Sequence, residues 1–376
     1  MTIILAPDSF KESMTAKEVC NSMEKGIHKV NSTIKCIKVP MADGGEGTMQ
    51  SLIDATGGSI HRTEVLDPLG RTISAQFGIC GNGEIAVLEM ASASGLHHVT
   101  KNERDPTKTS TYGTGQLISA CLDHNIKKLL IGIGGSATND AGAGMLQALG
   151  GKLLDKNKKS IKQGGGNLNK IETIDLSGLD KRLKEVDIEV ACDVSNLLTG
   201  EEGATHIFGP QKGATKNMIK LLDSNLYYFS KIVEDTININ MREIIGGGAA
   251  GGLGAALHTF LGGKLKKGID MVIEYSGLEE QIKNADMVWT GEGSLDSQTI
   301  YGKTPFGVAT LAKKYDIPVI AIAGRLGQGS EILYKYGFDG IFSIINDIQT
   351  LPEALLNGRH NVESTSENIM RILSIK

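Results

Sequence analysis

The sequence has no paired cysteines, no excess of charge and no long apolar run. Its five cysteines stand singly without a CxxC pair, so neither a disulfide framework nor a structural zinc site is predicted. The 39 basic and 43 acidic side chains leave no surplus charge to attract nucleic acid or an anionic membrane. The N-terminal apolar run ends at Pro7 and Asp8, too early for a signal peptide or a membrane span. We therefore expect a reduced, cytoplasmic protein whose partners are small molecules, with no nucleic-acid or membrane partner.

Proline is scarce and glycine is abundant. The chain has 8 prolines but 48 glycines in 376 residues, well above the usual share of roughly 7% for glycine. The glycines cluster where apolar segments run into helical ones, positions at which they allow positive φ and close approach to a ligand. A chain of this length also exceeds the roughly 250–300 residues of a single core, so two domains are expected.

Apolar runs alternate with helical patterns at both ends of the chain, which predicts a parallel sheet covered by helices on both faces. Thr15 and Glu18 form a capping box before the first helical pattern. A further helix is predicted over 308–315. The strands are expected at 3–5, 34–39, 287–289, 318–323 and 340–344.

The middle of the chain has a different pattern. Segments 62–65, 72–77 and 84–90 are spaced like short antiparallel strands joined by glycine turns. We therefore predict an α/β fold with a discontinuous first domain, residues 1–65 plus 285–376, and an inserted second α/β domain, residues 66–284. The active site is expected in the cleft between the two domains.

The glycine-rich run from Gly132 to Gly144 has three interpretations. A strand that enters a glycine turn and then a helix is typical of a phosphate-binding loop. The pattern Gly132-x-Gly134-x-x-Ala137, with Asp155 further on, also fits a dinucleotide fingerprint, which would indicate an NAD(P)-dependent hydroxy-acid oxidoreductase. The third interpretation of the run is a tight turn that binds no ligand. Asn139 and Asp140 place an amide and a carboxylate near the start of the helix. These groups would repel pyrophosphate unless a divalent cation or an alcohol substrate lies between them and the pyrophosphate.

A second polar loop is predicted over 290–304, directly after a strand. Glu292 and Asp296 would project from the carboxyl end of that strand, where they could hold Mg²⁺ or deprotonate a hydroxyl. Lys303 could meet a phosphate oxygen. Residues 302–304 resemble the end of a Walker A motif, but Ser297 stands where its first glycine is required, so a P-loop is excluded.

Other segments repeat this character of a strand end followed by an acid or a lysine. Asp8, Asp43, Glu46 and Asp193 each follow such an end, although singly each could be a cap or turn residue. Lys212 lies in a tight turn that could be a binding element or an exposed turn. The run 246–255 could be another anion site or a helix start packed closely against its neighbour.

Taken together, nine segments closely resemble the bacterial glycerate kinase family, of the glycerate 2-kinase type with a Rossmann-like or flavodoxin-like domain and an inserted second domain. The resemblance covers nearly the whole chain in the family's order. Glu12 departs from it, since glycine usually follows APDSFK. The segments are APDSFK (6–11), PMADGGEGT (40–48), EMASASGL (89–96), YGTGQLI (112–118), GIGGSATNDAGAGM (132–145), CDVSN (192–196), FGPQKGA (208–214), AAGGLGAAL (249–257) and TGEGSLDSQTIYGKTPFGVA (290–309).

The resemblance implies transfer of the γ-phosphoryl group of ATP, with Mg²⁺, to D-glycerate, at the 2-hydroxyl in preference to the 3-hydroxyl. Our hypothesis for the catalytic residues is Asp193, Asp296 and Lys11, with Asp193 and Asp296 as base and metal ligand. A non-catalytic binding protein is a further alternative, and the number of subunits is left open, a homo-oligomer included. The residues expected to bind substrate or nucleotide are Asp8, Ser9, Asp43, Glu46, Gly134, Gly135, Ser136, Asn139, Asp140, Lys212, Glu292 and Lys303.

Overall fold

The computed structural model describes residues 1–375 and has an α/β architecture. Its strands, in chain order, are β1 (Thr2–Leu5), β2 (Lys35–Lys38), β3 (Ser59–Leu66), β4 (Thr72–Ile79), β5 (Ile85–Glu89), β6 (Lys128–Gly132), β7 (Lys152–Leu154), β8 (Thr173–Asp175), β9 (Asp187–Ala191), β10 (Lys264–Lys266), β11 (Met287–Leu295), β12 (Val319–Leu326) and β13 (Gly340–Ser343).

The α-helices are α1 (Ala16–Val30), α2 (Thr48–Thr56), α3 (Ala91–Ser94), α4 (Tyr112–Leu122), α5 (Ala143–Ala148), α6 (Ala204–Phe208), α7 (Lys216–Ile237), α8 (Ala249–Leu261), α9 (Gly268–Ser276), α10 (Leu278–Ile282), α11 (Thr304–Lys313), α12 (Leu351–Leu356) and α13 (Gly358–Leu373). Short 3₁₀ helices lie at Leu96–His98, Gly165–Lys170, Lys181–Glu185, Pro210–Lys212, Met241–Glu243 and Ser330–Tyr336. Among these described helices, none combines the length and the apolar character that a membrane crossing requires.

The chain separates into two compact units. Unit 1 comprises Met1–Asp43, Gln50–Gly58 and the chain from Lys267 onward, and unit 2 comprises Gly44–Met49 and Ser59–Lys266. The domain limits predicted from the sequence, at 65/66 and 284/285, stay a prediction.

Unit 1 is built on a five-stranded parallel sheet with the order β13-β12-β11-β1-β2. Read from the other edge in the order of the unit's own strands, this is 2-1-3-4-5, the doubly wound order of flavodoxin-like folds. The direction of winding reverses between β1 and β11, and ligands of such sheets bind beyond the carboxyl ends of the strands at that point. The predicted parallel α/β sheet is confirmed.

Strand β11 is longer than predicted. The sequence analysis ended it at residue 289 and began a loop at 290, but the strand continues to Leu295, which pairs with Leu326 of β12. Gly291 permits this continuation, because a Cβ there would lie 2.1 Å from the carbonyl oxygen of Ile322. Glu292 therefore projects from a paired strand, which holds its backbone more firmly than a loop would.

The N-terminal helix of unit 1 begins as predicted. The Thr15 hydroxyl accepts from the Glu18 amide at 3.3 Å, and the Glu18 carboxylate accepts from the Thr15 amide at 2.9 Å, a complete capping box. Just before it, Glu12 has φ 64°, in the left-handed region that favours glycine. This explains why the related motif has glycine at that position.

Unit 2 contains a six-stranded mixed sheet with the order β10-β9-β6-β5-β4-β3. Strands β3, β4 and β5 form an antiparallel meander, which confirms the predicted short antiparallel strands, and β5, β6, β9 and β10 run parallel. The carboxyl ends of the parallel strands carry Glu89, Gly132 and, two residues after β9, Asp193.

The second glycine-rich run starts a helix against a close neighbour. At Gly251, with φ 69°, an added Cβ would lie 2.1 Å from the Thr138 carbonyl oxygen and 2.6 Å from the Asn139 Cα. The Ala141 amide donates to the Gly251 carbonyl at 3.0 Å. Of the two interpretations of residues 246–255, the structure therefore supports close packing against the segment that follows the first glycine-rich loop.

Candidate active site

Asp8 lies at the reversal point of the unit 1 sheet. Its backbone amide donates to the Gly291 carbonyl at 2.8 Å, so the chain leaving β1 runs beside β11. The side chain accepts from the Thr304 hydroxyl and from the Ser9 amide, both at 2.6 Å. Burial raises the pKa of Asp8 to about 6, and the nearby Asp43 carboxylate adds to the rise, although the Thr304 hydrogen bond opposes it.

Glu292 lies on the neighbouring strand and has the more perturbed carboxyl group. Its side chain is 13% exposed, and Lys303 Nζ and the Thr299 hydroxyl donate to it at 3.1 and 3.2 Å. Burial raises the pKa of Glu292 to about 7, against the lowering effect of Lys303 and with a further rise from Asp8. Crowded, desolvated carboxyl groups of this kind are typical of functional sites.

The other predicted residues of unit 1 differ in exposure and in their contacts. Asp296 is half-buried and accepts from the Gln298 amide at 2.8 Å in an Asx turn. Lys11 is exposed, and Ser9 and Asp43 are half-buried. The structure thus brings Asp8, Asp43, Glu292 and Lys303 together at one edge of the sheet.

In unit 2, the loop after β6 borders a small pocket of about 250 Å³. Gly132 and Gly134 approach the backbone of residues 44–45 so closely that an added Cβ would lie 3.2 and 3.8 Å from it. The pocket is lined by Gly45, Glu46, Met49, Gln76, Glu89, Ala91, Ser92, His97, Gly132, Gly134 and Gly135. Three predicted binding residues, Glu46, Gly134 and Gly135, thus line one small cavity.

Asp140 is fully buried, and its hydrogen bonds are with unit 2 itself. Its carboxylate accepts from the amide and hydroxyl of Thr111 and from the amides of Gly142 and Gly144, at 2.9 to 3.2 Å. Burial raises the pKa of Asp140, and these hydrogen bonds oppose the rise. The amides of Gly142 and Gly144 at the start of α5, which the phosphate-loop interpretation would direct at an anion, therefore already donate to this carboxylate.

Its neighbour Asn139 is also fully buried, and its side-chain amide donates to the Thr205 hydroxyl at 2.9 Å. Both side chains are buried in unit 2, and their expected part in binding substrate or nucleotide stays a prediction.

Lys212 is the least expected side chain of the site. The exposed-turn interpretation is wrong, since the residue is 2% exposed and its ammonium donates to the Ser136 hydroxyl at 2.8 Å and to the Thr138 carbonyl at 2.7 Å. Burial lowers the pKa of Lys212 to about 7, and Asp140 opposes this. Lys212 and Ser136 thus fix the glycine-rich loop from within.

Glu89 was missed as a candidate although it ends strand β5 inside a segment that carried the family resemblance. The Met49 amide donates to its carboxylate at 3.0 Å, and burial raises its pKa. The position of Glu89 as an acid at the end of a strand was the sequence feature that could have identified it. His97 and Ser92 line the same pocket and gave no such signal, while Asp193, a predicted catalytic residue, is exposed and does not line it.

The dinucleotide interpretation lacks its structural context. A Rossmann fingerprint requires a helix directly after the glycine turn and an acid ending the next parallel strand. Here α5 begins at Ala143, and Asp155 follows β7, which pairs antiparallel with β8 outside the main sheet. The Asp155 carboxylate accepts from the amides of Asn157 and Lys159 in a local turn.

Buried carboxyl groups beside a lysine, at the reversal point of a doubly wound sheet, are typical of enzyme active sites. Comparison with known proteins identifies the class of enzyme: the model of the Glycerate kinase family matches residues 3–374. The chain belongs to the glycerate kinase family, whose members are phosphotransferases. The resemblance seen in the sequence is confirmed.

Individual relatives agree over nearly full length. The chain is 50% identical over 373 residues to a glycerate kinase of Halalkalibacterium halodurans, covering 99% of this chain and 98% of the relative. It is 48% identical over 375 residues to glycerate 2-kinase of Escherichia coli, covering 100% and 98%. A crystal structure assigned as glycerate kinase 2 from Salmonella typhimurium LT2 is 47% identical, with a TM-score of 0.92 and coverage of 99% and 98%.

Proposed function

We propose that this chain transfers the γ-phosphoryl group of ATP to the 2-hydroxyl of D-glycerate. The observation that carries the proposal is the pair of largely buried carboxyl groups, Asp8 and Glu292, with Lys303 beside them. Phosphoryl transfer to an alcohol needs a carboxylate to orient or deprotonate the hydroxyl and a cation to meet the phosphates. The name of the Escherichia coli relative, glycerate 2-kinase, supports the 2-hydroxyl as acceptor.

Glu292 is our candidate for the general base. A pKa of about 7 suits a base that works near neutral pH, because the group is then both ionised and able to take a proton. Asp193 and Asp296, the candidates from the sequence, stay predictions. Asp193 is exposed, whereas Asp296 is half-buried like Glu292.

The acidic edge of unit 1 fits a magnesium ion. Carboxylate oxygens are the protein ligands that Mg²⁺ prefers, and such ions usually take one or two of them together with phosphate oxygens and water. Burial raises the pKa of Asp8 and of Glu292, and the neighbouring carboxylates Asp43 and Asp8 add to these rises, so a divalent cation would stabilise the ionised groups. Asp8 and Asp296 are the residues we propose to hold it, and the ion would neutralise charge on the transferred group.

Unit 2 supplies the glycine-rich loop. We propose that the backbone of Gly134 and Gly135 holds a phosphate group or the glycerate carboxylate, while Lys212 and Ser136 keep that loop in position from inside. A cytoplasmic location and a small-molecule substrate remain part of this proposal.

The proposal is tested by incubating the purified chain with ATP, Mg²⁺ and D-glycerate. We expect ADP to form in a coupled assay, phosphorus NMR to identify 2-phosphoglycerate, and chelation of the metal to stop the reaction. L-glycerate and glycerol serve as control acceptors. Formation of 3-phosphoglycerate would correct the acceptor hydroxyl, and NAD(P) reduction without ADP release would overturn the proposal.

A further inference from the structure

A cluster of potential metal ligands joins helix α1 to the edge strand β2 of unit 1. Glu24 and His28 lie four residues apart on α1 and therefore on one helix face, and Cys36 lies on β2. One ligand atom from each residue lies within 4.8 Å of the others, and all three are half-buried. Cysteine spacing alone gave no sign of this cluster, because its other two ligands come from a neighbouring element.

One ring nitrogen of His28 is hydrogen-bonded to a backbone carbonyl, which leaves the other for a metal. Its Nε2 lies 3.0 Å from the Ile34 carbonyl oxygen. Because a carbonyl can only accept, Nε2 carries the proton and Nδ1 keeps its lone pair. Metal-ligating histidines commonly donate their second ring nitrogen to a carbonyl or carboxylate in this manner, which fixes the tautomer and the ring plane.

We propose that Glu24, His28 and Cys36 form a binding site for a divalent transition-metal ion such as Zn²⁺, with water as a fourth ligand. One carboxylate oxygen, one imidazole nitrogen and one thiolate are donors that zinc accepts in tetrahedral sites. On binding, the Cys36 thiol loses its proton to solvent and its sulfur bonds to the metal. The ion would tie the first helix of unit 1 to an edge strand and is independent of the proposed phosphoryl transfer.

Lys38 competes with the metal. Its ammonium donates to the Glu24 carboxylate at 2.9 Å and to the Asn21 side chain at 3.2 Å. A bound cation must therefore share or displace this lysine. Removing the ammonium frees the carboxylate and takes away a positive charge, so Lys38→Met should bind the ion several-fold more tightly than the native chain.

The test is titration of the purified, metal-free full chain with Co²⁺, whose bond to a thiolate produces a near-ultraviolet charge-transfer band. We expect one equivalent to give this band, Zn²⁺ to abolish it by displacement, and Cys36→Ser to remove it. Cys192→Ser is the matched control, because Cys192 is also half-buried but lies in unit 2, and it should keep the band. No band in the native chain, or an unchanged band in Cys36→Ser, would overturn the proposal.

His28→Gln and Glu24→Gln give a second readout that does not depend on the thiol. Each should weaken Co²⁺ binding at least tenfold while thermal melting without metal stays within a few degrees of the native chain. In the native chain, Zn²⁺ should raise the melting temperature, because a ligand bound only to the folded state stabilises it. Equal affinity in both variants would show that the ion binds elsewhere.

Discussion

The carboxyl edge of unit 1 and the glycine-rich loop of unit 2 look alike in sequence but use their acids differently. In unit 1, Glu292 accepts hydrogen bonds from Lys303 and Thr299 only, among the residues that the structure describes, and burial raises its pKa to about 7. In unit 2, Asp140 accepts four hydrogen bonds from its own unit. An acid beside glycines can therefore have few hydrogen-bond partners or support a loop with many, and the number of its hydrogen bonds distinguishes the two.

The largest effect is expected at Glu292. Glu292→Gln should lower kcat by about 10² to 10⁴-fold, the range for loss of a general base, with little change in fold. Glu280→Gln, an exposed acid of the same unit that pairs with Lys283, is the matched control and should retain full activity. A steady-state assay with both substrates saturating measures this, and a loss of less than tenfold would remove Glu292 from the base role.

Asp140 should affect stability more than chemistry. Asp140→Ala leaves the amides of Gly142 and Gly144 and both donor groups of Thr111 without their acceptor inside the core. We expect the free energy of unfolding to fall by about 3–5 kcal/mol, since each buried unsatisfied donor costs about 1–3 kcal/mol. Urea unfolding followed by circular dichroism measures the fall. A variant of native stability would show that these hydrogen bonds do not support the loop.

The packing of the second glycine run against the loop can be tested at Gly251 in α8 and at Gly262, which directly follows that helix. Gly251 and Gly262 have nearly equal φ values, 69° and 67°, but only at Gly251 would a Cβ meet backbone. Gly262→Ala should cost about 1–2 kcal/mol for the left-handed conformation alone. Gly251→Ala should cost roughly 2 kcal/mol more, because the clash adds to that strain. Equal losses of stability for the two variants in thermal melts would show that Gly251 is not packed closely against the loop.

The pH dependence of kcat/KM tests whether Glu292 or Asp296 is the general base. Because the raised pKa of Glu292 keeps it protonated below about 7, kcat/KM should rise with pH through that value as the base ionises. Below this pKa, each further drop of one pH unit should lower kcat/KM about tenfold, because the ionised fraction of Glu292 falls tenfold. Asp296→Asn should keep the limb if Glu292 is the base. A limb that persists in Glu292→Gln and disappears in Asp296→Asn would reverse the assignment.

Local patterns predicted much of the fold. The capping box at Thr15, the antiparallel meander and the parallel sheet follow from spacing and periodicity, which act over a few residues. The extension of β11 through Glu292 was missed, because its glycines are typical of a loop until Ile322 of the partner strand is placed against Gly291. The length of β11 therefore depends on its pairing with β12, a segment distant in the sequence.

The site was predictable in its residue types but not in their environments. The strand-end acids of unit 1 were identified because parallel strands end at one edge, yet nothing local distinguishes Glu292 from Asp140. The burial of Lys212 depends on the Ser136 and Thr138 contacts, which lie more than 70 positions away in the chain. Side chains that are enclosed by remote segments require the three-dimensional structure.

The most direct test is the melting temperature of Glu292→Gln at pH 8, measured beside its turnover. Its folded pKa of about 7 lies above the ordinary value of 4.5, so the stabilisation from the protonated form is present below 4.5 and lost as pH rises through 7. At pH 8 a neutral glutamine should therefore melt at the native temperature or about 1–4 °C above it, while turnover is lost. A lower melting temperature with turnover retained would contradict the account, because Glu292 would then be a supporting residue like Asp140.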